Sequence, residues 1–145
     1  MGDVEETVQG FLNPEYAYYA LLAAGGELVA YCCFGADARV PGGDYGADAL
    51  DVGLGVRPDL IGKGQGGAYV QAVLDCARRT WSPPVFRVTI AEFNERARRV
   101  WKKAGFRRVQ RFRRESDDQA FLVLVREEAR PGERPQKEGI QDGSL

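Results

Sequence analysis

Residues 56–67 read VRPDLIGKGQGG, with glycines at 62, 64, 66 and 67. Glycine lets a bulky anion approach the main chain without meeting a Cβ. The segment before the run is apolar (ALDVGLGV, 49–56), and the one after it carries Val70, Val73, Leu74 and Ala77 on a single helical stripe. This spacing predicts a strand that passes through the glycines into a helix ending near residue 80. The first turn of a helix presents unbonded N–H groups and the positive end of the dipole, which is where phosphate is readily held. Lys63 can add a charge-assisted contact. The same residues could serve as a mere flexible turn, but four glycines in six residues at a helix start favour a phosphate cradle.

Several other chemistries are excluded. The chain has no histidine, which removes Ser-His and Cys-His catalysis and the usual zinc sites. No metal site is expected, and proton transfer falls to carboxylates, tyrosines, lysines, backbone or water. A P-loop is ruled out because no Gly-Lys is followed by Ser or Thr. Gly62, Gly64 and Gly67 do satisfy G-x-G-x-x-G, with Glu92 where a ribose-binding acid could stand. Against a dinucleotide, five residues including Pro58 separate the strand from Gly62, an antiparallel meander precedes the unit, and too few residues follow for a second half.

Cys32, Cys33 and Cys76 are odd in number, and two are adjacent, so reduced thiols of a cytoplasmic protein are expected. The acidic start MGDVEETVQG does not read as a secretory signal, and no apolar run is long enough to span a membrane. The net charge of −1 conceals an asymmetry. Residues 1–60 hold two basic and ten acidic side chains, whereas ten basic residues and no acid lie between Arg96 and Arg114. This is a solvated face or a positive field near a polyanionic ligand; the overall balance argues against nucleic acid.

The elements that must position these residues follow from periodicity. Residues 3–12 have helical spacing of Val4, Val8, Phe11 and Leu12. Residues 16–23 and 27–34 read as a hairpin about Gly25 and Gly26, followed by a Gly-rich loop at 35–48 and a third strand at about 49–56. After the glycine helix, Pro83 and Pro84 precede a strand at 85–91, and a strand–helix–strand order implies a right-handed parallel crossover. Asn94 then caps a helix with Ala97, Val100, Trp101 and Ala104 on its buried face, and Gly105 suits the left-handed residue after its end. A final hairpin occupies 106–113 and 119–126. Residues 1–126 thus read as one domain and 127–145 as a disordered tail.

Two segments together resemble the GNAT superfamily of acetyltransferases. Val56-x-Pro58-x-x-x-Gly62-Lys63-Gly64-x-Gly66 is similar to that family's acetyl-CoA diphosphate loop. Asn94-x-x-Ala97-x-x-x-Trp101-x-Lys103-x-Gly105-Phe106 is similar to its second signature, one strand and one helix further on. The resemblance covers about residues 16–126. It implies an α/β (α+β) fold: a mixed, mostly antiparallel sheet with a parallel β-α-β crossover at its centre and flanking helices. The strand before the loop would be bulged at Gly53 and Gly55 and would splay from its parallel neighbour.

The resemblance also implies roles. Backbone at Leu54, Gly55 and Val56 would pair with the pantetheine arm and polarise the thioester. The amides of Ile61, Gly62, Lys63, Gly64, Gln65, Gly66 and Gly67 would hold the diphosphate. Asn94, Ala97 and Trp101 would line the cofactor from the second helix. Asp51 stands where many members carry a glutamate base, and Glu92 is a second candidate. Acetyl-CoA is the implied cosubstrate, and a small-molecule or peptide amine is the implied acceptor, attacking directly in a ternary complex. Open sheet edges would allow a homodimer.

Three departures matter. Trp101 replaces the tyrosine that often protonates the leaving thiolate, and indole N–H is no useful acid. Ile61 replaces a common Arg or Gln. Only about fifteen residues precede the meander, so the first strand and helix of the family are expected to be missing or truncated. A module that binds acyl-CoA but transfers slowly is therefore the alternative to an active enzyme.

Overall fold

The computed structural model describes residues 8–10 and 18–128. Seven strands form one sheet: β1 (Val8–Gly10), β2 (Tyr18–Leu22), β3 (Leu28–Phe34), β4 (Leu50–Val56), β5 (Val85–Ala91), β6 (Arg107–Arg113) and β7 (Ala120–Glu127). Their order is β1-β2-β3-β4-β5-β7-β6. Every neighbouring pair is antiparallel except β4–β5, which is joined by helix α1 (Gly66–Thr80). This is the mixed sheet with a central parallel crossover that the sequence predicts. With one parallel pair it is not a doubly wound dinucleotide fold.

The second helix, α2 (Glu95–Lys103), packs with α1 on one face of the sheet. The core there joins Val70, Val73, Leu74 and Ala77 of α1 and Trp101 of α2 to Val52, Phe86, Val88, Ile90, Leu122 and Leu124 of the central strands. A second cluster holds Tyr69 and Ala72 of α1 against Leu21, Val29 and Ala30, with Leu54 and Val56 packed beside it. Pattern and burial agree: the stripe read from the sequence is the buried side of α1.

The helix ends explain their sequences. Asn94 Oδ1 accepts from the Ala97 N–H at 3.1 Å, so α2 is self-capped. At its other end Gly105 has φ +96°, its N–H donates to Lys102 O, and Phe106 N–H donates to Trp101 O. These two bonds and the edge-to-face packing of Trp101 on Phe106, ring centroids 5.0 Å apart, make a Schellman motif with its hydrophobic contact.

Four expectations need correction. Residues 8–10 are strand, not helix: they pair with β2 at the sheet edge, where ladder bonds outweigh a weak helical stripe. The remainder of the 3–12 segment lies outside the described residues. A short first strand is thus present, and only seven residues link it to β2. The bulge at Gly53 and Gly55 is absent, because β4 pairs with β3 in unbroken register from Val52 to Val56. Those glycines answer a steric demand instead: a Cβ on Gly55 would stand 2.5 Å from the Tyr31 ring, and one on Gly53 would stand 2.8 Å from Cys33 Sγ. Finally, Glu127 ends β7 and Glu128 belongs to the fold, since its N–H donates to Pro84 O and its carboxylate accepts from Arg78 Nε at 2.6 Å. Residues 129–145 lie outside the described residues.

Candidate active site

The parallel ladder between β4 and β5 is short. It pairs Leu50 with Phe86, Asp51 with Arg87 and Val52 with Val88, and then stops. Strand β4 nevertheless continues to Val56, still paired with β3 on its other side, and β5 continues to Ala91. The two strands therefore diverge from Val52 onward. The edge of β4 at Gly53, Leu54, Gly55 and Val56 has no β5 partner, and extended backbone of this kind accepts a further extended chain. The divergence that the family resemblance implies is present without the bulge.

At the end of that edge the chain turns through a 3-10 segment (Pro58–Leu60) into the glycines. Gly62 and Gly64 have φ of +82° and +81°, which strains any L side chain. Gly64 and Gly67 face open space, while Gly66 is held close to α2, where a Cβ would lie 3.0 Å from Val100 Cγ2. Helix α1 has Gln65 at its N-cap with no side-chain cap and no acid in its first turn. Its contrast with the self-capped α2 is plain. The first N–H groups of α1 carry partial positive charge toward a turn in which four of seven residues are glycine, which suits a diphosphate. Lys63 and Ile61 are exposed on this turn.

The predicted residues of α2 divide. Asn94 is exposed and spends its carbonyl on the cap, leaving its amide N–H₂ free to donate. Ala97 is half-buried against the core. Trp101 is 4% exposed and is a core residue packed on Phe106, so its indole acts first as structure.

Neither candidate base is a free carboxylate. Asp51 does share a strand face with Gly53 and Gly55, but it is 1% exposed. Its two oxygens accept from Arg87 Nε at 2.7 Å and Nη2 at 2.8 Å, and Oδ2 also accepts from Arg39 Nε at 2.8 Å. Arg87, 3% exposed, also donates to Ala47 O at 3.0 Å, and its pKa is raised by the hydrogen bonds to Asp51. Both guanidinium groups lie over the Tyr45 ring, and the Tyr45 hydroxyl meets Thr89 Oγ1 at 2.8 Å. Asp51 therefore ties the 35–49 loop to the sheet beside the divergence of β4 and β5. An exposed carboxylate, the ordinary expectation for such a residue, is not what the fold contains. The missed signal was a lone charge in the middle of each of two apolar strands, ALDVGLGV and VFRVTIA, which the parallel register places opposite each other.

Glu92 follows β5 and is more accessible, at 35% side-chain exposure. Arg111 donates to it through Nε at 2.7 Å and Nη2 at 2.9 Å, and this pairing holds its carboxyl below the usual 4.5. A depressed pKa favours the fold above the ordinary carboxylate range and loses that contribution as pH falls through the lowered value. We expect Glu92→Gln to lower the thermal midpoint at pH 7, and the difference from wild type to shrink as the pH is taken down through the lowered carboxyl range. A difference that stayed constant across that range would contradict the pairing. Among the described residues no group of His, Cys, Asp or Glu could hold a metal. The three cysteines are buried and free; burial, with Cys76 and Cys33 nearby, pushes the Cys32 thiol up to about 12.

Comparison with known proteins decides the relationship. The Acetyltransferase (GNAT) family model matches residues 2–106. The chain belongs to the GNAT family. Among solved structures, a GNAT-family acetyltransferase from Bordetella pertussis is 25% identical, with a TM-score of 0.62 over 77% of this chain and 66% of its own. A GNAT acetyltransferase from Bacillus anthracis is 18% identical, with a TM-score of 0.60 over 76% of this chain and 65% of its own. An acetyltransferase from Salmonella typhimurium, solved with its cofactor acetyl-CoA, is 22% identical, with a TM-score of 0.59 over 76% of this chain and 64% of its own. This GNAT chain thus spans slightly under two thirds of the length of those structures. No curated protein matches it. No helix among the described residues is long and apolar enough to cross a membrane.

Proposed function

We propose that this GNAT chain is a cytoplasmic N-acetyltransferase that moves an acetyl group from acetyl-CoA to a primary amine in a ternary complex. The observation that carries the reading is the unpaired edge of β4, Gly53 to Val56, leading into an uncapped, glycine-lined helix start. That edge can pair with the amide-bearing pantetheine arm while the turn holds the diphosphate. When bound, acetyl-CoA supplies a thioester: the neutral amine attacks its carbonyl carbon, the C–N bond forms, the C–S bond breaks and coenzyme A leaves as thiolate. The chain contributes position and polarisation. Backbone N–H at Leu54 or Val56, the residues that face away from β3, stabilises the carbonyl oxygen, and Asn94 holds the arm. The amine proton passes to solvent water, since Glu92 is tied to Arg111 and Asp51 acts by fixing β4 and its loop. Solvent protonates the thiolate in place of an acid at Trp101.

The test is release of free thiol on mixing the protein with acetyl-CoA and a panel of amines: polyamines, aminoglycosides, amino acids, peptide N-termini and lysine peptides. Turnover with at least one amine supports the enzyme. Acetyl-CoA binding without turnover favours a weak acyl-CoA-binding module, a reading that the occupied carboxylates and the buried Trp101 make specific. If thiolate protonation is limiting and the tyrosine hydroxyl reaches the site from this 4% exposed position, Trp101→Tyr should raise kcat by roughly 10²-fold or more, the scale of general acid catalysis. An unchanged kcat would show that one of these two conditions is not met.

A further inference from the structure

Helix α2 faces the glycine turn with two side chains one helical turn apart, Arg96 and Val100. Val100 supports Gly66, as described. Arg96 lies flat against Gly62: a Cβ built there would stand 3.4 Å from its Nη2, 3.5 Å from Cζ and 3.7 Å from Nε. Three neighbouring arginines are ion-paired, whereas Lys63, on the turn itself, also has no ion pair among the described residues but offers a point charge rather than a planar fork. Arg98 and Arg99 lie 3.9 and 3.7 Å from Glu95, and Arg57 is bidentate to Asp59 at 2.6 and 3.1 Å. Arg96 is exposed and has no ion pair among the described residues. A guanidinium is a planar fork of donors that matches two phosphate oxygens at once and keeps its charge at every working pH.

We propose that Arg96 is the fixed cation of the diphosphate subsite, closing from α2 the cradle that the α1 amides open from the other side. The inference rests on the acetyl-CoA reading above. A Cβ at Gly62 would be in ordinary contact with the guanidinium, so it is the left-handed backbone that calls for glycine there.

The experiment is calorimetric titration of the full chain with coenzyme A and with 3′-dephospho-coenzyme A, for the wild type, Arg96→Gln, Arg96→Lys and Arg99→Gln. Arg96→Gln is expected to weaken both ligands by roughly 10- to 100-fold, the scale of losing hydrogen bonds to a charged group. Arg96→Lys should recover part of the loss, Arg99→Gln should stay within about twofold of wild type, and high salt should narrow the difference between wild type and Arg96→Gln. Unchanged thermal midpoints would show that the loss is not one of fold. Wild-type affinity in Arg96→Gln would overturn the proposal. A loss seen for coenzyme A but not for the dephospho form would also overturn it, by moving the charge to the 3′-phosphate. A wild-type chain that binds neither ligand would instead bring down the cofactor reading itself.

Discussion

Asp51→Ala is expected to destabilise the protein by about 3–5 kcal/mol, because it leaves the Arg87 guanidinium buried without its counter-charge. Arg87 is 3% exposed, and Asp51 takes two of its hydrogen bonds. For a domain of this size the loss corresponds to a fall in thermal midpoint of roughly 10–20 °C. The double variant Asp51→Leu, Arg87→Met should recover most of it, since a buried pair replaced as a whole by apolar side chains is often neutral. Arg39→Met should cost much less, because Arg39 is 42% exposed and water can replace it. Urea unfolding of the four proteins measures these differences. If Asp51→Ala lay within 1 kcal/mol of wild type, Asp51 would not be the anchor described here, and its role as a proton acceptor would regain weight.

The second large effect is on binding. Gly64→Asp should weaken acetyl-CoA by at least about 100-fold, at a stability cost of only about 1–2 kcal/mol from the left-handed backbone. The added Cβ meets nothing within 4 Å, so packing is undisturbed, and aspartate tolerates the left-handed backbone at φ +81° better than most residues. Its carboxylate, however, would project into the space that the diphosphate is to occupy. Two unit charges about 4 Å apart near a protein surface repel by roughly 4 kcal/mol. Gly64→Ala separates the contributions: it keeps the backbone strain without the charge and should lose far less. Similar losses for both variants would mean that the turn acts through its conformation alone.

Most of the frame was legible because local signals agreed with one another. The end of α2 is the clearest case, since Asn94, Gly105 and Phe106 each have one local job and the structure gives each that job. The strand boundaries of β5 followed from Pro84 and from a mostly apolar, β-branched run in the same way. Legibility failed where the deciding contact was remote in sequence. Gly53 and Gly55 looked like bulge residues, yet their reason lies across the ladder in Cys33 and Tyr31. Asp51 looked like a base, and its partners are Arg39 and Arg87, twelve and thirty-six residues away. Arg96 sat unremarked inside a run of ten basic residues, because composition cannot tell the one that faces the turn from those that face water. Residues 8–10 show the converse, with tertiary pairing overriding a short periodic pattern.

The most direct test of the account is calorimetric titration of the purified protein with acetyl-CoA, with NAD as the control. Saturable binding of one acetyl-CoA per chain, with no heat from NAD, is the predicted result and would leave only the acceptor amine to be found. Absence of acetyl-CoA binding would contradict the account, since the β4 edge and the glycine turn would then not form a working coenzyme site in this chain.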